Sequence, residues 1–326
     1  MSKGTVMQHV FIINPAAGGG KRVQALERDI HRVCGSKNAD YLVYQTKSAR
    51  DATAFVEKHA ALGHPMRIYA CGGDGTFCEV VSGAPAAPNV SFGLIPIGTG
   101  NDFHRNFSNG EYFFDIERQL EGEELPLDLY RCNGEYGVNM VNIGFDCDVV
   151  NETLRTKKNR LIPAKMTYIA GLVKVFCRKI GTKFRLTFPD GESFDQNLTL
   201  SLIANGAFCG GGFKAAPYAS LSDGELEVCI IGQVSRLQFI KTVGAYKKGT
   251  YLDEKRRPSF VTYRRTRSLT VEFAEEHDYC IDGEIRRART VTIACMPHAT
   301  RFVCPRGSSP INRVDIQEKT KEAVTV

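Results

Sequence analysis

No uninterrupted apolar run in this chain approaches the ~20 residues a helix needs to cross a bilayer. The first residues, MSKGTVMQHVFIINP, run into a strand pattern without the apolar core of a signal peptide, so a cytoplasmic location is expected. The eleven cysteines are odd in number and never fall in CxxC spacing, which supports neither a disulfide framework nor a zinc site. Seven histidines are scattered without metal-ligand spacing. Net charge is +6, yet no RNP, zinc-finger or helix-turn-helix signature accompanies it, and no nucleic-acid partner is expected.

Acidic residues are absent from Thr153 to Pro189, where ten Lys or Arg occur. Leu161, Ile162, Met166, Tyr168, Ile169, Leu172, Val173 and Phe176 are interleaved with them. One reading is a helix packing its apolar face on a sheet with its cations outward. The other adds peripheral contact with an anionic membrane, each nearby cation contributing about 1 kcal/mol.

The familiar phosphate loops are absent too. In CGGDGTFCEVVSG, residues 71–83, Gly75 is followed by Thr76 and Phe77 where a Walker A loop needs Lys and Ser/Thr, and Cys78 stands where a dinucleotide fingerprint needs Gly or Ala. The stretch Pro15 to Arg22 fails the same test. A single turn of this kind also reads as a plain strand-to-helix connection.

What is present is a pattern. The 326 residues, 43% of them hydrophobic and 24% charged, suffice for two domains. Up to residue 128, strands at 6–13, 40–44, 66–71 and 92–95 alternate with helices at 23–33, 49–62 and 76–82, which predicts a parallel sheet with helices on both faces. Ligands of such a sheet collect at the C-terminal strand ends. Glycine-rich or Pro-containing blocks sit there three times, at 14–19, 72–76 and 97–102, and their convergence on one rim points to a phosphate held by backbone N–H groups at a helix N-terminus. Over 129–295 short period-two runs predict an antiparallel β-sandwich or flattened barrel, with helical inserts in the basic segment and at 234–246. Residues 296–306 are expected to return to the first domain, and 307–326 to be a frayed tail.

Taken together, Asn14-Pro15, Gly72-Gly73-Asp74-Gly75-Thr76 and Pro96-Ile97-Gly98-Thr99-Gly100-Asn101-Asp102-Phe103 resemble, in order and spacing, the signature of the diacylglycerol kinase and sphingosine kinase family in its small bacterial soluble form. Leu127-Asp128-Leu129, Asn142 to Asp146, Pro217 to Leu226 and Asp282-Gly283-Glu284 extend the resemblance to about residue 305. NAD kinases and phosphofructokinases share the GGDGT block, whereas the GTGNDF block is more discriminating. The resemblance implies an α/β N-terminal domain with a parallel sheet, an antiparallel β-sandwich C-terminal domain, and ATP-dependent phosphorylation of a lipid hydroxyl, most simply that of diacylglycerol, at the cytoplasmic membrane face.

By the same resemblance Asn14, Thr46, Gly72, Gly73, Asp74, Gly75, Thr76, Thr99, Asn101 and Asp102 hold the nucleotide, with Asp74 and Asp102 ordering Mg²⁺ or phosphate. Glu284 becomes the general base and Asp128 the carboxylate linked to it. For Asp282-Gly283 a hairpin turn remains the preferred reading. A structural Mg²⁺ is implied at Asp223 and the main-chain carbonyls of Ser220 and Glu225, where Glu225 departs from the family's apolar residue. Partners are then a lipid substrate, an anionic membrane touched by the basic segment and by Arg256, Arg257, Arg264, Arg265 and Arg267, and a second copy if a sheet edge is exposed. Two alternatives stand beside this: an NAD kinase-like enzyme acting on a soluble hydroxyl, and a non-catalytic lipid sensor on the same fold.

Overall fold

The computed structural model describes residues 7–157, 164–178, 181–253, 255 and 257–311, with side chains given outside 157 and 164–169. Expectations for Leu161, Ile162, Arg256, the side chains of Met166, Tyr168 and Ile169, and the tail beyond 311 fall outside the described residues.

The first half alternates as its periodicity demands: β1 (Gln8–Ile13), α1 (Val23–Ser36), β2 (Asp40–Gln45), α2 (Asp51–Ala60), β3 (Met66–Gly72), α3 (Asp74–Ser82), β4 (Val90–Pro96) and a short α4 (Ile116–Leu120). β1 pairs in parallel with both β2 and β3, and β3 with β4. Period-two alternation splits β1 between two cores. Val10 and Ile12 pack with α2 and α3, while Phe11 and Ile13 pack with α1.

The second half comprises β5 (Glu123–Cys132), β6 (Glu135–Gly137), β7 (Met140–Gly144), α5 (Phe145–Lys157), α6 (Ala164–Phe176), β8 (Thr182–Thr187), β9 (Ser193–Ala204), β10 (Leu226–Gly232), α7 (Arg236–Lys248), β11 (Val261–Thr266), β12 (Ser268–Ile281) and β13 (Glu284–Cys304). Pairing is antiparallel from β11 through β10, β9, β7 and β12 to β13. The period-two run over 136–143 is broken into β6 and β7 at Val138 and Asn139. β12 runs on through a register shift against β13 between Glu272 and His277.

β13 is the seam. Its first part pairs with β12, its last part with β5, and Phe302 pairs in parallel with Phe92 of β4, so the described strands form one hydrogen-bonded sheet rather than two separate ones. Phe302 is 1% exposed and its ring meets Phe77, Phe103, Phe107 and Phe113 at centroid distances of 4.9–6.1 Å. That cluster fixes the loop after β4 against α3.

Candidate active site

The rim begins where Asn14-Pro15 ends β1. The Asn14 N–H donates to Cys71 O at 3.0 Å, its Oδ1 accepts from Ala16 N–H at 3.0 Å, and its Nδ2 donates to Thr76 Oγ1 at 3.1 Å. Beside it the Thr46 N–H donates to Ile13 O at 2.9 Å. Asn14, Thr46 and Thr76 thus come from three strand ends to one place.

The two glycine-rich turns share a floor. Gly98 N–H donates to Gly72 O at 3.1 Å, and a Cβ on Gly98 would lie 2.5 Å from Gly73 Cα, closer than real atoms come. Asp74 completes the join: Oδ2 accepts from Asp102 N–H at 3.0 Å and Oδ1 from Phe103 N–H at 2.9 Å. Asn101, at φ +52°, closes the second loop by donating Nδ2 to Pro96 O and Gly98 O. Thr99 is exposed at its tip. In contrast to Gly98, a Cβ on Gly75 would meet nothing within 4 Å. Gly73 caps α3 without a side-chain hydrogen bond, so open space lies over the positive end of a nine-residue helix, which suits an anion.

Asp102 faces the other way. It is 7% exposed, and its Oδ2 accepts from the Gly211 N–H at 2.9 Å while Oδ1 faces Arg105 Nε at 3.5 Å. Burial pushes its carboxyl up to about 6, opposed by the Gly211 N–H. The partner loop holds Gly210, Gly211 and Gly212 at φ +59°, +81° and +112°, a path that L side chains resist. Asp102 therefore ties the rim to the second domain, a role its motif did not reveal; the run Cys209-Gly210-Gly211-Gly212-Phe213 was the available signal.

Asp282 and Gly283 form the two-residue hairpin expected of them, at φ +46° and +91°. The Asp282 carboxylate does more than turn the chain, accepting from the N–H groups of Val138 (2.7 Å), Asn139 (3.0 Å) and Met140 (2.7 Å) and from Tyr130 OH (2.8 Å). It pins the break between β6 and β7, which sequence reasoning missed. Glu284, two residues on, keeps an exposed carboxylate whose Oε2 meets Arg286 at 2.8 Å, and Arg286 also holds Glu135. Its charge reaches α3: burial lifts the Glu79 carboxyl, the Arg50 N–H opposes this, and Glu284 adds to the lift.

Asp128 does not join Glu284. It is fully buried in β5, its Oδ2 accepting from Gly224 N–H and its Oδ1 from His298 N–H, both at 2.6 Å. Its own N–H donates to Leu221 O at 2.7 Å, so it anchors the 220–225 turn. The reason is register: β5 pairs with the part of β13 around Met296, far along that strand from Glu284.

The turn itself does not fit a structural Mg²⁺. Asp223 Oδ2 is ion-paired to Arg265 Nη2, which also meets Glu225 Oε2 at 2.7 Å, and Arg265 Nε reaches Glu227 Oε1 at 3.2 Å. A guanidinium already supplies the cation that these carboxylates require. No group of three or more His, Cys, Asp or Glu among the described residues is arranged to hold a metal, and Ser220 merely lines a small cleft beside the turn.

Under α5, α6 and α7 lies an apolar cavity of about 60 Å³, lined by residues including Phe145, Leu172, Leu200, Phe213 and Phe239. Its polar end is Asp146, whose Oδ2 accepts from Tyr246 OH at 2.7 Å and whose carboxyl burial raises to about 6. Cys209 and Gly210, neighbours of the Gly211 held by Asp102, also line it.

A glycine-rich rim on α/β strand ends is joined through β13 to an antiparallel β domain, and two family models divide the chain in the same way. Residues 8–132 match the diacylglycerol kinase catalytic domain and residues 139–304 the YegS C-terminal NAD kinase beta sandwich-like domain. The chain belongs to the diacylglycerol kinase/YegS-like lipid kinase family. It is 31% identical over 255 residues to the "Probable lipid kinase YegS-like" protein of Chromohalobacter salexigens, covering 74% of this chain and 77% of that one. It is 28% identical over 322 residues to a diacylglycerol kinase of Mycobacterium tuberculosis, covering 94% and 99%. A solved diacylglycerol kinase from Bacillus anthracis shares the fold at a TM-score of 0.66 and 20% identity, covering 92% and 97%.

Proposed function

We propose that this protein transfers the γ-phosphoryl group of ATP, presented with Mg²⁺, to the hydroxyl of a lipid such as diacylglycerol. The bond from the γ-phosphorus to the bridging oxygen breaks, a bond to the lipid oxygen forms, ADP leaves, and the hydroxyl proton passes to Glu284. The observation that carries this reading is the Asp74 carboxylate, which joins the GGDGT and GTGNDF turns into one floor and leaves open space over Gly75 at the α3 N-terminus. In this reading Asn14, Thr46, Gly72, Gly73, Gly75, Thr76 and Thr99 hold the nucleotide phosphates, and Asn101 and Asp102 support the loops that carry them.

A lipid acceptor is favoured over a soluble one by the relatives, whose printed names are lipid or diacylglycerol kinases, and by the apolar cavity in the second domain. No helix among the described residues is long and apolar enough to cross a membrane, so the lipid would be met peripherally, at the inner face. The test is transfer of labelled phosphate from ATP to a panel of lipid extracts in mixed micelles with Mg²⁺. Wild type should label one lipid class, and Glu284→Gln should lower turnover by about 10²–10⁴ with nucleotide binding unchanged. A wild type that binds ATP yet labels only NAD, or nothing, would replace the reading with a soluble-acceptor kinase or a sensor.

A further inference from the structure

α7 has two faces, and only one is explained by the core. At 100° per residue Phe239, Thr242, Val243 and Tyr246 fall together and line the apolar cavity, with the Phe239 ring 4.6 Å from Phe145 and 5.4 Å from Phe176. On the other side Leu237 and Ile240 are 62% and 58% exposed, beside the exposed Lys241, Gly244 and Lys248. The helix contains Arg236, Lys241, Lys247 and Lys248 and no Asp or Glu. It is held by its own ends: a Ser235–Gln238 capping box, and Gly249 at φ +77° closing the last turn.

We infer that α7 is a membrane-docking helix, its Leu237/Ile240 face seated on an anionic lipid surface while its inner face covers the cavity for the acceptor's chains; the cavity's occupant rests on the lipid-kinase reading above. Charge complementarity selects the occupant, since an exposed apolar pair on a helix that carries four cations and no acid suits a bilayer of anionic headgroups. Within the basic segment Lys174 and Arg178 engage Glu152, and Arg185 engages Asp195. Arg264 pairs with Asp190 and Glu192, and Arg265 with Asp223 and Glu225.

The experiment is flotation of the full chain with phosphatidylcholine vesicles with and without phosphatidylglycerol, for wild type, Leu237→Glu/Ile240→Glu and Lys241→Glu/Lys248→Glu. Circular dichroism and thermal melting establish that each variant is folded. Wild type should float with the anionic vesicles only, and each double variant should lose at least roughly tenfold in binding. Leu237→Glu/Ile240→Glu should keep its turnover in mixed micelles, where detergent presents the acceptor without a bilayer. Variants that bind anionic vesicles like wild type, or a wild type that ignores them, would overturn the proposal. So would a wild-type dimer that Leu237→Glu/Ile240→Glu dissociates, since the face would then belong to a second copy. Vesicle binding through α7 without any lipid phosphorylation would leave docking standing and remove the kinase reading instead.

Discussion

Asp102 is one carboxylate serving two domains, and its protonation is where pH should register. Its folded pKa, raised to about 6 from 3.8, means that the native state binds this proton more tightly than the unfolded chain does. The resulting stabilisation is fully present below about pH 4 and is lost as pH rises through 6. Above that the ionised group costs on the order of 3 kcal/mol relative to a neutral one. Asn keeps an oxygen for the Gly211 N–H without titrating, so Asp102→Asn should match wild type near pH 4 and become the more stable of the two by pH 7. Urea midpoints across that range check it, and parallel curves would show that Asp102 does not titrate as its burial implies. The sequence singled out Asp102 through its motif. What it could not show is that Asp102 reaches Gly211, 109 positions away, because no local pattern encodes that distance. Asp282 is the same case: its turn was legible, its four hydrogen bonds were not.

At the scale of elements, glycines that look alike in the motif differ in what they permit. Gly98→Ala forces a Cβ to 2.5 Å from Gly73 Cα, backbone against backbone, and should cost about 1–3 kcal/mol while loosening the joined floor of the two turns. Gly75→Ala meets nothing and adds a better helix former to the first turn of α3, so stability should hold or rise by up to about 1 kcal/mol. If phosphate occupies the space over Gly75, the same substitution weakens ATP. Denaturation midpoints read with nucleotide titrations separate the two; unchanged ATP affinity in Gly75→Ala would move the phosphate elsewhere on the rim. Elements with strong local signals were legible: β1 up to its Asn14-Pro15 end, and α7 as a helix, although it runs over Arg236–Lys248 rather than 234–246. The full length of β13 was not, because residues such as Cys295 and Thr300 become strand only through partners such as Tyr130 and Leu127, and sequence separation hides such pairing.

Across the whole molecule, the seam strand and the turn at 220–225 decide what a metal can do. Arg265 already neutralises Asp223 and Glu225, so Mg²⁺ added without nucleotide should leave the melting temperature of wild type unchanged. Calorimetric scans with and without Mg²⁺ test this, and a concentration-dependent rise abolished by Asp223→Asn would restore a structural metal. The sequence by itself determined the alternation of strand and helix up to residue 128, the period-two character beyond it and the three glycine-rich blocks, because hydrophobic period and turn chemistry are local properties. Only the tertiary structure decided that Asp128 serves the 220–225 turn rather than Glu284, that Arg265 takes the cation's place, and that α7 shows an apolar, basic face outward. The first two depend on which distant strands share a register, and register is set by burial of the whole sheet rather than by any stretch of chain within it; the third depends on which side of α7 packs over the cavity.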